Sequence, residues 1–380
     1  MKRIILLSSF VLTQTLFATT LTIYNSNMAL VQESKKFCIQ KNRNDLVLKN
    51  LPDTILENSV DVTLPSSVAL AWQSYRPKRY KQHTKETIKS RLTFHVESKK
   101  DLKADLDISY LAKNISFTTD YVLNIDKNRA KFTAYVDIQN NSGKDFKNAS
   151  INLIAGNINR AYNHPQPVMY RMMAADKAAV PSHKAVGGYH KYSLPIKIDL
   201  ASYEKQRVKL FNTKETTLKN SYTATMNNPL YLIGERSSGV KRELHLKALN
   251  HELPAGVVRI YTQDGGEKLL LGETSITNTP KNTPLTLNVG QDFDTKVTQK
   301  ILSRNDTKSQ FDATVLYSIS NNSDEDKVIT LHIPFNKKSG SHIISKLNYT
   351  YTKGNLVTFT LKVKANSKRS FDVNFKSRRR

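Results

Sequence analysis

The stretch KFTAYVDIQNNSGKDFKNASINLIAG, residues 131–156, decides the fold class. Phe132, Ala134, Val136 and Ile138 alternate with Thr133, Tyr135, Asp137 and Gln139. A polar run, Asn140 to Asp145, interrupts, and Ile151, Leu153 and Ala155 resume the alternation. Apolar residues at period two on either side of an Asn/Ser/Gly turn predict two antiparallel strands, each with one face on a core and one in water. The pattern returns in ATVLYSISNNSDEDKVITLHIP, residues 313–334, with Ala313, Val315, Tyr317 and Ile319 before the turn and Ile329, Leu331 and Ile333 after it. The chain is therefore expected to be all-β, made of multiple antiparallel β-sandwich modules. Duplication and convergence on one design account equally for the repeat.

Working outward, Leu21–Asn25, Met28–Val31 and Leu46–Leu48 read as short strands separated by Asn-rich turns. Ser67–Tyr75 is another and carries the only tryptophan, Trp72, which is read as a core residue. Leu92, Phe94 and Val96 alternate inside the basic stretch 76–105. Gly256–Tyr261 is a strand leading to a hairpin turn at Asp264, Gly265 and Gly266. Val357, Phe359, Leu361 and Val363, then Phe371, Val373 and Phe375, close the chain in the same style. The division expected from this reading is an N-terminal β region with a basic linker over 19–105, a large sandwich over 106–300, and an immunoglobulin-like C-terminal sandwich over 301–380. Residues 160–195 break the alternation with Pro165, Pro167, Pro181, Gly187, Gly188 and Pro195 and are read as a long loop.

Residues 1–18 read as a secretory signal peptide. Lys2 and Arg3 precede a short apolar run from Ile4 to Phe17, and Ala18 offers a small residue for cleavage. The run is shorter than the roughly 20 residues that span a bilayer, and no later segment is apolar enough to cross. An exported protein of a bacterial periplasm or envelope is the expectation. The single cysteine, Cys38, has no internal disulfide partner and is read as a small buried residue between Phe37 and Ile39. Lys and Arg number 58 against 32 Asp and Glu, a formal charge of +26. That excess favours anionic partners such as an envelope polymer or a lipid surface. Lysines on solvated strand faces produce the same excess. Nucleic acid is disfavoured because the chain reads as exported, and an envelope protein is the other partner class.

Three groups of segments resemble the exported mucoidy-inhibitor-A-like proteins, which contain a large β domain of unknown function. They are Leu21–Asn25 with Ala29–Val31; Tyr121–Asp126 with Ile138–Gly143 and Leu153–Gly156; and Leu253–Tyr261 with Leu271–Glu273 and Val289–Phe293. The resemblance implies an exported β-rich protein and brings no catalytic residues with it. Members of that family often carry a coiled-coil insertion after the N-terminal strands, whereas residues 76–105 contain no apolar heptads.

The sequence has no Gly-x-Ser-x-Gly elbow, no His-Glu-x-x-His pair, no phosphate-binding glycine loop and no cofactor motif. Aromatic and basic residues interleave from Trp72 to Lys81, and Tyr75, Arg76, Arg79, Tyr80 and Lys81 form the candidate anionic-ligand surface. His164, Met169, Met172, Met173, His183 and His190 gather soft ligands suited to Cu(I) in and beside the long loop, although methionines there also serve as adaptable packing. His245 and His251, near Glu243 and Glu252, lack metal-ligand spacing. The expected function is a non-enzymatic envelope protein holding an anionic component or a protein partner. The alternative is an exported hydrolase whose catalytic residues lie far apart in sequence.

Overall fold

The alternating stretches 132–138, 151–155, 313–319, 329–333, 357–363 and 371–375 all lie in strands. The computed structural model describes residues 19–81, 85–155, 190–336, 340–352 and 355–378, and the one helical element among them is a 3-10 turn, Pro229–Tyr231. The protein is all-β, with several antiparallel sheets. The expected leader and most of the 160–195 loop lie outside the described residues. The chain divides into two compact units, Met1–Thr119 with Tyr135–Leu210 and Asp120–Ala134 with Phe211–Arg380.

The first unit begins with β1 (Thr19–Tyr24), β2 (Met28–Ile39), β3 (Asn42–Lys49), β4 (Ile55–Thr63), β5 (Val68–Arg76), β6 (Arg79–Lys81) and β7 (Glu86–Ile88). It continues with β8 (Arg91–Ser98), β9 (Leu102–Lys113), parts of β10 (Ile115–Asp126) and β11 (Arg129–Asn140), β12 (Phe146–Ala155), β13 (His190–Ser193), β14 (Ile198–Leu200) and the start of β15 (Glu204–Thr225). One sheet runs β13-β12-β1-β2-β9-β4, with β14 also on β12. Separate small sheets are β3-β8-β5 and β6-β7.

The deciding stretch forms both expected strands, β11 and β12, but they are not partners. β12 runs parallel to β1, from Thr19 opposite Ala149 to Tyr24 opposite Ile154, and antiparallel to β14. β11 lies between β10 and β15 in another sheet. The expected antiparallel pair is thus corrected to an arch that carries the chain between two sheets. The physical reason is Asn140, fully buried at the arch entrance. Its Nδ2 donates to the carbonyls of Lys144 (2.8 Å), Leu200 (3.3 Å) and Ala201 (3.1 Å). Its Oδ1 accepts from the Ser142 amide (3.1 Å) and hydroxyl (2.7 Å). One side chain therefore serves backbone carbonyls that a ladder would otherwise have to satisfy. Below the arch, the Lys144 ammonium donates to buried Glu33 and, at 2.9 Å, to the Tyr110 hydroxyl, which itself donates to Glu33.

The second unit adds β16 (Glu235–Leu246), β17 (Gly256–Asp264), β18 (Glu267–Ile276), β19 (Leu285–Asp306), β20 (Gln310–Asn321) and β21 (Lys327–Pro334). It ends with β22 (His342–Ile344), β23 (Thr350–Thr352), β24 (Leu356–Val363) and β25 (Ser367–Arg378). The arch recurs here. β20 lies between β19 and β25, while β21 runs parallel to β15 and antiparallel to β24. Asn321 donates to the carbonyls of Glu325 (2.8 Å), Val363 (3.4 Å) and Lys364 (3.0 Å), and accepts from the Ser323 hydroxyl (2.7 Å). Each unit thus repeats one connection: a strand, an Asn-held arch, a strand entering parallel to the opening strand, and a return.

The turns after β14 and β24 both pass through left-handed backbone, at Tyr203 (φ 61°) and Asn366 (φ 48°). Asn adopts that conformation at less cost than Tyr. Tyr203 is 75% exposed, so its ring offers little packing in return. Tyr203→Asn is expected to raise stability by about 0.5–1 kcal/mol, read as a higher urea midpoint at unchanged slope. An unchanged or lower midpoint would show that the Tyr ring holds this turn.

Two other expectations meet the structure differently. Residue 301 falls inside β19, whose Thr295–Asp306 segment pairs with β20, and residue 106 falls inside β9. The C-terminal core combines Val315, Ile329, Phe359 and Phe375 with Ala224, Met226, Leu232, Val240 and Val297. Its walls therefore come from β15, β16 and β19 as well as from later strands. Cys38 is exposed, a correction to the buried reading. Alternation along β2 turns Ile39 inward and leaves Cys38 on the solvent side.

Candidate functional site

The sheet β3-β8-β5 of the first unit is half-buried. Leu46 and Leu48 of β3 and Leu92, Phe94 and Val96 of β8 fill one side. Their neighbours in sequence stand on the other, because successive strand residues point to opposite faces. The registers of the two strand pairs then set which outward residues share a row.

The first row is Lys49, Arg91 and Arg76, directly opposite one another across three strands. Like charges so placed destabilise a sheet. Further along, Asp45, His95 and Trp72 share a row. The His95 Nδ1 is 2.7 Å from Asp45 Oδ1, and its Nε2 is 3.1 Å from Ser74 Oγ. The Trp72 indole stacks on the His95 ring, with centroids 4.5 Å apart and planes inclined by 19°. Arg43 lies opposite Glu97 in the row beyond.

Trp72 is 54% exposed, which corrects its assignment to the core. Val68, Leu70 and Trp72 share sequence parity, and Val68 is buried. A register shift between Leu70 and Trp72 inserts Ala71 as an extra residue. Such a bulge reverses the facing of everything after it, so Trp72, Ser74 and Arg76 turn outward. The same shift sends Tyr75 to the side of Leu92, its cross-strand partner. Burial there raises the Tyr75 hydroxyl pKa, with Glu57 and Asp53 adding to the effect.

Of the five expected anion-binding residues, Arg76 is thus on the solvated face and Tyr75 is on the reverse. Arg79, Tyr80 and Lys81 form β6, paired with β7 in a separate ribbon, with Tyr80 exposed. Lys78, between them, is held by Asp53 at 2.7 Å, and that hydrogen bond and charge raise its pKa. Sequence reading missed Lys49, Arg91, Asp45, His95 and Ser74. The outward polar positions of the β3 and β8 alternation were visible, but their registers were not.

The expected metal ligands His164, Met169, Met172, Met173 and His183 lie outside the described residues, and His190 opens β13. Among the described residues no three His, Cys, Asp or Glu side chains are grouped as for a metal ion. His245 and His251 serve separate surroundings. His245 is 2.7 Å from Ser221 Oγ and 3.1 Å from Thr286 Oγ1, and His251 stacks on Phe211 at 4.6 Å.

The arrangement around His95 has the connectivity of a Ser–His–Asp triad, in which the carboxylate orients the imidazole and the imidazole takes the hydroxyl proton. His245 joins Ser221 and Thr286 on its two neighbouring strands in the same form, with a hydroxyl in place of the acid, so cross-strand Ser–His bonds also arise here as ordinary neighbours on a solvated sheet. Among the described residues no helix is long and apolar enough to cross a membrane. No known family model matches this chain, and no curated protein matches it.

Proposed function

We propose that this chain is a non-enzymatic exported protein of a bacterial envelope that holds an anionic envelope polymer on the solvated face of β3-β8-β5. Kinship with the mucoidy-inhibitor-A-like proteins and an immunoglobulin-like character for the C-terminal sandwich belong to the same proposal. The observation that carries it is the row Lys49–Arg91–Arg76 beside an outward-facing tryptophan. Three opposed cations destabilise the sheet, and a bound polyanion relieves that repulsion. The Trp72 ring offers a flat apolar platform for a sugar ring while the cations take its carboxylate or phosphate. A second reading, an exported hydrolase using Ser74 as nucleophile, His95 as base and Asp45 as its orienter, rests on the two hydrogen bonds through His95.

Trp72 is the only tryptophan, so its emission reports directly on this face. Polygalacturonate is expected to change that emission at low salt, and dextran is not. The affinity is expected to fall about tenfold or more in about 0.5 M salt, since exposed charges are screened over roughly 8 Å already at physiological ionic strength. Arg76→Ser with Arg91→Ser is expected to weaken binding about tenfold, the equivalent of about 1.4 kcal/mol. Absent or salt-insensitive binding would sink the proposal. Turnover of an activated ester that disappears in Ser74→Ala would establish the hydrolase reading instead.

A further inference from the structure

The second unit contains a cleft of about 1100 Å³. Its lining comes from β10, β11, β15, β17 and β18 and from the segment 247–251 that follows β16. That segment is fastened at both flanks, by the Lys247 amide on the Thr217 carbonyl (3.1 Å) and the Asn282 amide on the Leu249 carbonyl (2.8 Å). Leu249 is buried beneath it. The hollow is thus part of the folded unit.

Its lining is unbalanced in charge. Arg129, Lys131, Lys214, Lys247 and Lys268 stand against Asp126 and Glu215. Of these five cations, Lys131 alone makes an ion pair among the described residues, to Glu215 at 3.9 Å. Lys268 lies over the Tyr261 ring, 4.1 Å from its centroid. Between the cations are side-chain amides, Asn124, Asn250 and Gln263, and hydroxyls, Thr216, Thr217 and Thr262. The His251 ring, stacked flat on Phe211, completes the wall. Burial, then the charges of Lys214 and Lys281, push its pKa below the ordinary value. A concave surface lined by one sign of charge concentrates its field on whatever enters. Amides and hydroxyls among cations suit a ligand with many hydroxyls and a few anionic groups. The volume exceeds the usual 300–1,000 Å³ of small-molecule sites, which leaves room for several sugar rings.

We infer that this cleft is a binding site for an anionic oligosaccharide, with Arg129, Lys214 and Lys247 taking its acidic groups and Asn124, Asn250 and Gln263 its hydroxyls. The site is made of other residues than the β3-β8-β5 face, and neither reading depends on the other.

The test is calorimetric titration of the full mature chain with tetragalacturonate and, as a neutral counterpart, maltotetraose. Tetragalacturonate is expected to bind and maltotetraose not to. Lys214→Ser with Lys247→Ser is expected to weaken, at least about tenfold, the tetragalacturonate binding that the His251 signal follows, with the urea midpoint unchanged, because both residues line the hollow and neither forms an ion pair among the described residues. The His251 ring resonances are expected to shift on saturation. Arg76→Ser with Arg91→Ser is expected to leave this shift intact, so a failure of the sheet-face reading shows separately. No binding of tetragalacturonate, a His251 signal that it leaves unmoved or that maltotetraose moves equally, or a His251 titration unweakened by the Lys214 and Lys247 changes would overturn the inference.

Discussion

Lys144→Met is expected to remove about 4 kcal/mol of stability from the first unit, read by Trp72 emission during urea unfolding. The loss comes from what stays behind. Glu33 is buried, and Lys144 is its close counter-ion beneath the arch. Without the ammonium, a carboxylate is left in a poor dielectric with only Tyr110 and the more distant Lys35, at 3.5 Å, to support it. Changing both residues, with Glu33→Leu added to Lys144→Met, is expected to restore most of the loss, since removing a buried pair as a whole is often near neutral. The pH dependence separates this account from simple loss of packing. In the parent protein burial alone raises the Glu33 pKa, but the charge and hydrogen bond of Lys144, the Tyr110 hydroxyl and Lys35 outweigh it and hold the pKa below the ordinary 4.5. A depressed folded-state value gives stability that is present above the unfolded-state value and is lost as pH falls through the folded one. In the variant burial prevails and the value rises. Stability is then greatest in acid and falls as pH rises from the unfolded-state value to the raised one. A loss under about 1 kcal/mol, or an unreversed pH slope, would mean that Lys144 is not what keeps Glu33 charged.

Asn140→Ala is expected to destabilise the same unit by about 3 kcal/mol, whereas Asn141→Ala, one residue on, is expected to change it by less than about 0.5 kcal/mol. Asn140 serves three carbonyls and two groups of Ser142, and alanine leaves the carbonyls without that donor in a buried corner. No side-chain hydrogen bond of Asn141 is part of the arch; its amide bonds to the Asn114 carbonyl through the backbone (2.8 Å). The matching pair in the second unit, Asn321→Ala against Asn322→Ala, is expected to show the same asymmetry. Equal effects at the two neighbouring asparagines would mean that the turn sequence, and not the corner side chain, fixes the arch.

The candidate site divides along the same line as these two predictions. Arg76 stood out in a run of aromatic and basic residues, because clustering along the chain is visible in the chain. Asp45, Ser74 and His95 span 95 − 45 = 50 residues of sequence on three different strands, and only the registers of β3 and β5 on β8 bring them into hydrogen-bond reach. Trp72 was legible as a large apolar residue on a strand, but its direction was not. One bulged residue, Ala71, reverses the parity of the strand, and no local propensity announces it.

What the sequence by itself determined is the all-β class and, where the alternation runs unbroken, which residues turn inward. Phe132, Ala134, Val136 and Ile138, and their counterparts Ala313, Val315, Tyr317 and Ile319, are all buried as their alternation requires. Period-two patterning is a property of neighbouring residues, so it survives in one dimension. Tertiary structure alone decided the partners. β11 and β12 are adjacent in sequence yet pair elsewhere, β19 crosses the expected boundary at 301 to complete a core, and Cys38 and Trp72 face solvent. Pairing is set by hydrogen bonds and packing between segments far apart in the chain, and a single buried amide such as Asn140 selects among arrangements that the apolar pattern leaves equal.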